Sequence, residues 1–261
     1  MMPGDTIHVI DQHTGSWLRR FHSGRRGPLR LVCLPHAVGS ASDYRGWHKF
    51  APDWVDVVAV QYPGHDDRYD EQCDTDIQVL ASRIAARLLA AGDGPVALFG
   101  HGMGSLVAYE TAVQLHRRGA EPVHLAVSGQ PAPSRHRGGG TVHSSDDDLV
   151  ATELLRRGIV EPAMLADPER REAYISIARA DYYAMETYQP SLSTVLSCPV
   201  TSYYGLADSG VKEADAGCWY EATYGRFQLR CWPGDHFYLR PREQLLVRDL
   251  TSRLTALRPA A

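Results

Sequence analysis

The sequence has no paired-cysteine motif. Its five cysteines, Cys33, Cys73, Cys198, Cys218 and Cys231, are odd in number and form no CxxC. That suits the reduced thiols of a cytosol better than a disulfide framework. Cys33 and Cys231 sit in apolar strand-like runs, where small buried thiols are expected. No HExxH and no clustered His/Cys spacing is present, so no metal is expected. No stretch approaches the roughly 18 apolar residues of a membrane span. The opening MMPGDTIHVIDQHTG has no charged region followed by an apolar one, so no secretory leader is expected and the cytoplasm is the expected location. An excess of positive charge is also missing. Lys and Arg number 27 against 31 Asp and Glu, a net charge of −4, which gives no general pull toward nucleic acid. Internal repeats are absent.

What is present is an alternation. With 261 residues the chain fits one domain, 1–261, able to bury a substantial core. Compact apolar runs at 29–35 (LRLVCLP), 55–63 (VDVVAVQYP), 95–100 (PVALFG) and 123–129 (VHLAVSG) read as strands buried on both faces. A helix is expected over 76–91, where Ile77, Leu80, Ala81, Ile84 and Leu88 follow helical spacing, with Thr75 or Asp74 as N-cap and Gly92 as stop. A second is expected over about 103–118. Strand and helix in turn argue a parallel sheet with right-handed crossovers. The alternation breaks over 131–197, which opens with PAPSRHRGGG and reads as helical around 146–157 and 168–187. Strands at 198–205 and 227–234 and a closing helix at 242–257 then resume it. The fold class is therefore α/β, a mostly parallel sheet flanked by helices, with a helical lid inserted at 131–197.

In an open parallel sheet the chemistry lies at the carboxyl ends of the strands. There the sequence places 35–40 (PHAVGS), 100–104 (GHGMG), 205–208 (GLAD) and 233–236 (PGDH). The second has the rhythm of a nucleophile elbow, G-x-S-x-G, in which a strand turns sharply into a helix, but Gly102 stands where the serine would be. It matches neither GxGxxG nor GxxxxGK[ST], so a phosphate cradle is the poorer reading. The order of nucleophile position, acid and histidine is that of α/β-hydrolases. His236 follows a late strand after a Pro-Gly turn, and Asp208 is the acid that would hold its tautomer. Asp235 competes as the acid, but its place beside His236 reads as a turn residue. Ser105, one helical turn past Gly102, is expected to satisfy a backbone carbonyl in the helix rather than replace the nucleophile.

These stretches resemble the stand-alone type II thioesterases of polyketide and nonribosomal peptide assembly lines. The resemblance is carried by WLRRF (17–21), LVCLPHAVGSASDYRGW (31–47), VVAVQYPGHDDR (57–68), LFGHGMGSLVAYE (98–110), VSGQPAPSRHR (127–137), DYYAMETY (181–188), CPVTSYYG (198–205) and WPGDHFYL (232–239). It implies an α/β-hydrolase fold with a helical lid and hydrolysis of acyl thioesters on the phosphopantetheine arm of carrier proteins. By position it places Gly102 at the nucleophile, Asp208 at the acid, His236 at the base, and the Met103 and Ala37 N–H groups at the oxyanion hole, which His36 flanks. The chain departs from the family at Val38, where glycine is usual, at Ser209, where proline usually follows the acid, and at Asp235, where glycine usually precedes the histidine.

Three readings follow. The first is a type II thioesterase with hydrolysis impaired by the missing hydroxyl, acting on an acyl or peptidyl carrier protein. The second is a repurposed enzyme using His236 and Asp208 as a general base for proton abstraction, cyclisation or isomerisation. The third is a non-catalytic carrier-protein binder. None calls for a cofactor, nucleic acid or membrane, and a monomer is the expected state. Arg19, Arg20, Arg25 and Arg26, or Arg135 and Arg137, are candidate docking cations for an acidic carrier. Tyr182, Tyr183 and Tyr188 are candidates for the wall of the acyl channel.

Overall fold

The computed structural model describes residues 8–9, 17–23, 27–92 and 94–255. Its centre is an eight-stranded sheet in the order β1-β2-β4-β3-β5-β6-β7-β8. The strands are β1 (His8–Val9), β2 (Leu18–Arg20), β3 (Leu29–Leu34), β4 (Val55–Val60), β5 (Val96–His101), β6 (His124–Ser128), β7 (Val200–Gly205) and β8 (Phe227–Trp232). From β4 to β8 all neighbours are parallel, while β1 and β2 are antiparallel additions at one edge. The two additions have only two and three residues, too short for a periodicity to show, and the sequence reading passes over them.

Helices α1 (Ile77–Ala90), α2 (Met103–Arg117), α3 (Asp147–Arg156), α4 (Pro168–Glu186), α5 (Glu213–Gly217) and α6 (Glu243–Ser252) complete the fold. The cap of α1 differs from expectation. Asp76 accepts the Gln78 and Val79 N–H groups, because its carboxylate lies directly before the first helical residue, whereas Asp74 and Thr75 stand outside the turn.

Successive strand residues point to opposite faces, and the core divides accordingly. Val32, Leu34, Val58, Val60 and Leu98 pack under α1 and α2. Leu31, Cys33, Val57, Ala59 and Phe99 face the other way, toward Trp47 and the α6 residues Leu246, Val247 and Leu250. Cys33 is buried as expected, but Cys231 is exposed. It lies on β8, which among the described residues has no strand on its outer side.

Two proposed docking cations also turn inward. The Arg20 guanidinium forms a two-bonded ion pair with Asp56 of β4, and Arg19 pairs with Asp67 at 2.8 Å. Both arginines are buried. They belong to strand β2, which pairs with β4, so each guanidinium meets a carboxylate on β4 or in the loop after it. Arg25 and Arg26 lie outside the described residues.

Between β6 and β7 the chain leaves the sheet and builds α3 and α4 around a separate apolar cluster that includes Val150, Leu154, Ile175, Ala178 and Tyr182. Asp146 and Asp167 cap these two helices through the Leu149 and Arg170 N–H groups. The pair thus has its own small core and overlies the carboxyl edge of the sheet.

Candidate active site

The registers Leu34↔Gly100, His101↔Ser128 and Gly205↔Trp232 bring the ends of β3, β5, β6, β7 and β8 to one edge. The loops that leave this edge carry the residues singled out from the sequence. A cavity of about 380 Å³ is lined there by Ala37, Gly102, Met103 and His236, with Tyr182 and Met185 contributed by α4.

The three glycines of the turn have different reasons to be glycine. A Cβ on Gly100 would stand 2.0 Å from the Gly104 carbonyl oxygen, and one on Gly104 would stand 2.1 Å from the Leu34 carbonyl oxygen. Those two allow helix α2 to press against the sheet. Gly102 has φ +53° and ψ −123°, a conformation L side chains rarely adopt. Space is not the constraint there. A Cβ would meet His236 Nε2 at 3.4 Å and His36 Cβ at 3.5 Å, both ordinary contacts.

His236 donates its Nδ1–H to Asp208 Oδ2 at 2.7 Å. A carboxylate only accepts, so the neutral ring keeps its lone pair on Nε2, the nitrogen that faces Gly102. Asp208 is fixed in turn by the Gly210 N–H, which bonds Oδ1 at 2.9 Å. Asp235 takes no part in this pair. Its Oδ1 accepts the Phe237 N–H at 3.0 Å and closes the local turn. Met103 is the first residue of α2, so its N–H has no carbonyl partner within the helix.

Ser105 is committed elsewhere. Its Oγ lies 2.9 Å from the Gly100 carbonyl and 3.0 Å from the Ser128 carbonyl, and it accepts the Ser128 N–H at 3.0 Å. The carbonyls it serves belong to β5 and β6, not to its own helix as the sequence suggested. Of the three candidate tyrosines, Tyr182 lines the cavity. Tyr183 is exposed, and Tyr188 is buried with its hydroxyl on Glu110 Oε1 at 2.7 Å. Arg135 and Arg137 stand at the cavity rim.

Sequence reasoning passed over His101, although it sits inside the same five-residue turn. Its ring is fully buried, 4.7 Å centroid to centroid from His236, with Nδ1 bonded to Ser128 Oγ at 2.9 Å. Burial first, then the charges of His236, His36 and Arg240, pushes its pKa well below the usual 6.5. His36 donates Nδ1–H to the Ala37 carbonyl at 2.7 Å, and burial likewise lowers its pKa. Two neutral imidazoles therefore flank His236.

Burial also drives His124 down to about 4. A histidine held neutral in the fold and free to protonate when unfolded makes stability fall as pH drops from 6.5 toward 4. The shift of His124 alone corresponds to about 3 kcal/mol. His65, whose pKa is raised, acts with opposite sign, losing its stabilising share as pH rises. The expected result is a urea midpoint that declines between pH 6.5 and 4 and recovers in part in His124→Gln. A midpoint flat over that interval would contradict the buried neutral assignment.

The architecture and the cluster at the strand ends define the chain as an α/β-hydrolase fold. It belongs to the Thioesterase domain family, which matches residues 29–254. The probable cadicidin biosynthesis thioesterase of Streptomyces griseus is 39% identical over 234 residues, 89% of this chain. The chain spans 64% of that protein's length. Thioesterase PikA5 of Streptomyces venezuelae is 36% identical over 257 residues, covering 98% of this chain and 91% of its own. The type II thioesterase BorB from the borrelidin biosynthetic cluster superposes with a TM-score of 0.86 at 36% identity, covering 94% of this chain and 100% of its own. The chain's relatives are thus type II thioesterases of polyketide and nonribosomal peptide clusters. No described helix is long and apolar enough to cross a membrane.

Proposed function

We propose that this chain acts in the cytoplasm on acyl or peptidyl thioesters held by the phosphopantetheine arm of a carrier protein, with hydrolysis kept low because Gly102 occupies the nucleophile position. The observation that carries this reading is the direction of the missing side chain. A Cβ at Gly102 would lie 3.4 Å from the base nitrogen of His236, with Asp208 bonded behind the ring. The helical segment at 131–197 is read as the lid over the acyl group.

Without the hydroxyl, hydrolysis becomes a single displacement. A water beside His236 Nε2 gives its proton to the imidazole and attacks the thioester carbon. The Met103 and Ala37 N–H groups take the developing negative oxygen. The imidazolium then returns the proton to the departing thiolate, and no acyl-enzyme forms. Oxyanion binding and positioning alone leave about 10³–10⁴ over the uncatalysed rate.

The intact His236–Asp208 pair supports a second reading. A general base beside an oxyanion site suits proton abstraction or cyclisation of the bound acyl group and needs no nucleophile of its own.

Intact-protein mass spectrometry of an acyl-carrier protein, together with chromatography of the acyl group after its chemical release from the arm, separates the two, using the unmodified chain, Gly102→Ser and His236→Ala. Acyl loss restricted to Gly102→Ser supports the thioesterase reading. A rearranged acyl group formed by the unmodified chain and lost in His236→Ala supports the second. An acyl group unchanged in mass and in chromatographic mobility with all three proteins leaves the non-catalytic binder.

A further inference from the structure

The turn that carries Ala37 is held from outside. Val38 has φ +66°, in the left-handed region that a β-branched residue rarely enters. Two contacts from the α3–α4 segment keep it there. Its side chain packs against the cluster of Val150, Leu154 and Ile175. Its N–H donates to Asp181 Oδ2 of α4 at 2.6 Å.

Asp181 is almost wholly buried, and the same Oδ2 meets His65 Nε2 at 3.0 Å. The other ring nitrogen of His65, Nδ1, faces the Pro63 carbonyl at 3.0 Å. Both partners are acceptors, so both bonds form only when the ring carries two protons. The remaining groups that face this pair are Arg68 from the loop after β4, the buried phenol of Tyr62, and the thiol of Cys73. Tyr62 and Cys73 are both held neutral, chiefly by burial. Burial opposes protonation of His65 most strongly, but the charge and hydrogen bond of Asp181 and the Pro63 bond together leave its pKa raised.

We propose that Asp181 is a positioning residue for the reaction centre: through the Val38 N–H it sets the turn that presents the Ala37 N–H, with the His65 imidazolium as its buried counter-charge. This rests on the reading of Ala37 as an oxyanion donor. It makes the oxyanion site depend on helix α4 and on one proton. Above the pKa of His65 the carboxylate is left buried beside a neutral ring with one bond lost, and the turn loosens.

The test uses Gly102→Ser, in which hydrolysis is fast enough to follow, with second substitutions at Asp181. Asp181→Ala removes the acceptor of the Val38 bond, and kcat is expected to fall about tenfold or more with KM within about twofold, the signature of an interaction made in the transition state. Asp181→Asn with its amide oxygen at the Oδ2 position still accepts the Val38 N–H but carries no charge, so a neutral His65 that donates from Nε2 satisfies the same oxygen. It is expected to hold kcat within about threefold and to abolish the alkaline decline of kcat expected of Gly102→Ser alone. An unchanged kcat in Asp181→Ala, or an alkaline decline that persists in Asp181→Asn, overturns the proposal.

The strap is also read without catalysis. In the unmodified chain, nuclear magnetic resonance should show a strongly downfield Val38 amide proton and a His65 ring titrating above 6.5, both shifting back in Asp181→Asn. A His65 that titrates at or below 6.5 with an ordinary Val38 amide overturns the proposal even if Asp181→Ala fails to fold. If Gly102→Ser is inactive while those resonances behave as expected, the strap is supported and the reading of position 102 as the nucleophile's place in a thioesterase centre is what fails.

Discussion

Gly102→Ser raises hydrolysis of an acyl-carrier thioester by at least about a hundredfold over the unmodified chain. A catalytic serine and its histidine act as a unit, and deleting the serine of a working triad costs on the order of a millionfold. Restoring it here recovers less than the whole, for two reasons visible in the structure. The backbone at position 102 has φ +53°, and a non-glycine residue held there costs about 1–3 kcal/mol of stability. The neighbouring turn carries Val38 in the left-handed region as well, so the Ala37 N–H sits on an already strained loop. In favour of recovery, the new Cβ meets nothing closer than 3.4 Å, and that neighbour is His236 Nε2. Steady-state release of the free acid measures the gain. A serine chain that folds, keeps its cavity and hydrolyses no faster than the glycine chain would remove the nucleophile-position reading.

Adding Asp208→Asn to that serine chain erases most of what the serine gained. The carboxylate fixes the protonated nitrogen of His236 as Nδ1 through the 2.7 Å bond. An asparagine amide presented to the same nitrogen favours the opposite tautomer and leaves Nε2 carrying the proton where the lone pair is needed. In triads of this kind the loss reaches about 10⁴ in kcat. Here the rate cannot drop below the floor set by oxyanion binding, so the double variant is expected within about tenfold of the unmodified chain. Asp235→Asn is the matched control, because that carboxylate closes only the local turn at Phe237. A large loss in Asp235→Asn with little in Asp208→Asn would exchange the two roles.

The α/β order of the fold was legible because its signals are local. Each interior strand announced itself by a compact apolar run, and the helices by spacing and caps, so the observed strands fall within the expected stretches or one residue beyond. The short edge strands were not legible. Two or three residues cannot display a period; β2 exists because the flank of β4 offers backbone to bond, and β1 because β2 then does the same. The ends of elements also slipped. Asp76 caps α1 in place of its two acidic or hydroxylic neighbours, since the choice among adjacent cap residues depends on how the chain enters the helix.

By itself the sequence determined the alternation of strand and helix, the glycines that let α2 lie on the sheet, and the absence of a hydroxyl at Gly102. These depend on spacings of one to five residues. The tertiary structure decided which polar groups meet. Val38 and Asp181 are 143 residues apart, His65 and Asp181 are 116 apart, and His236 and Asp208 are 28 apart. It also decided that Arg19 and Arg20 are buried ion-pair partners rather than surface cations, and that Ser105 serves two strand carbonyls. A side chain's charge and shape are local properties, but its partner is chosen by burial, which must satisfy every polar group it takes out of water. That requirement acts across the whole fold, and no window of sequence contains it.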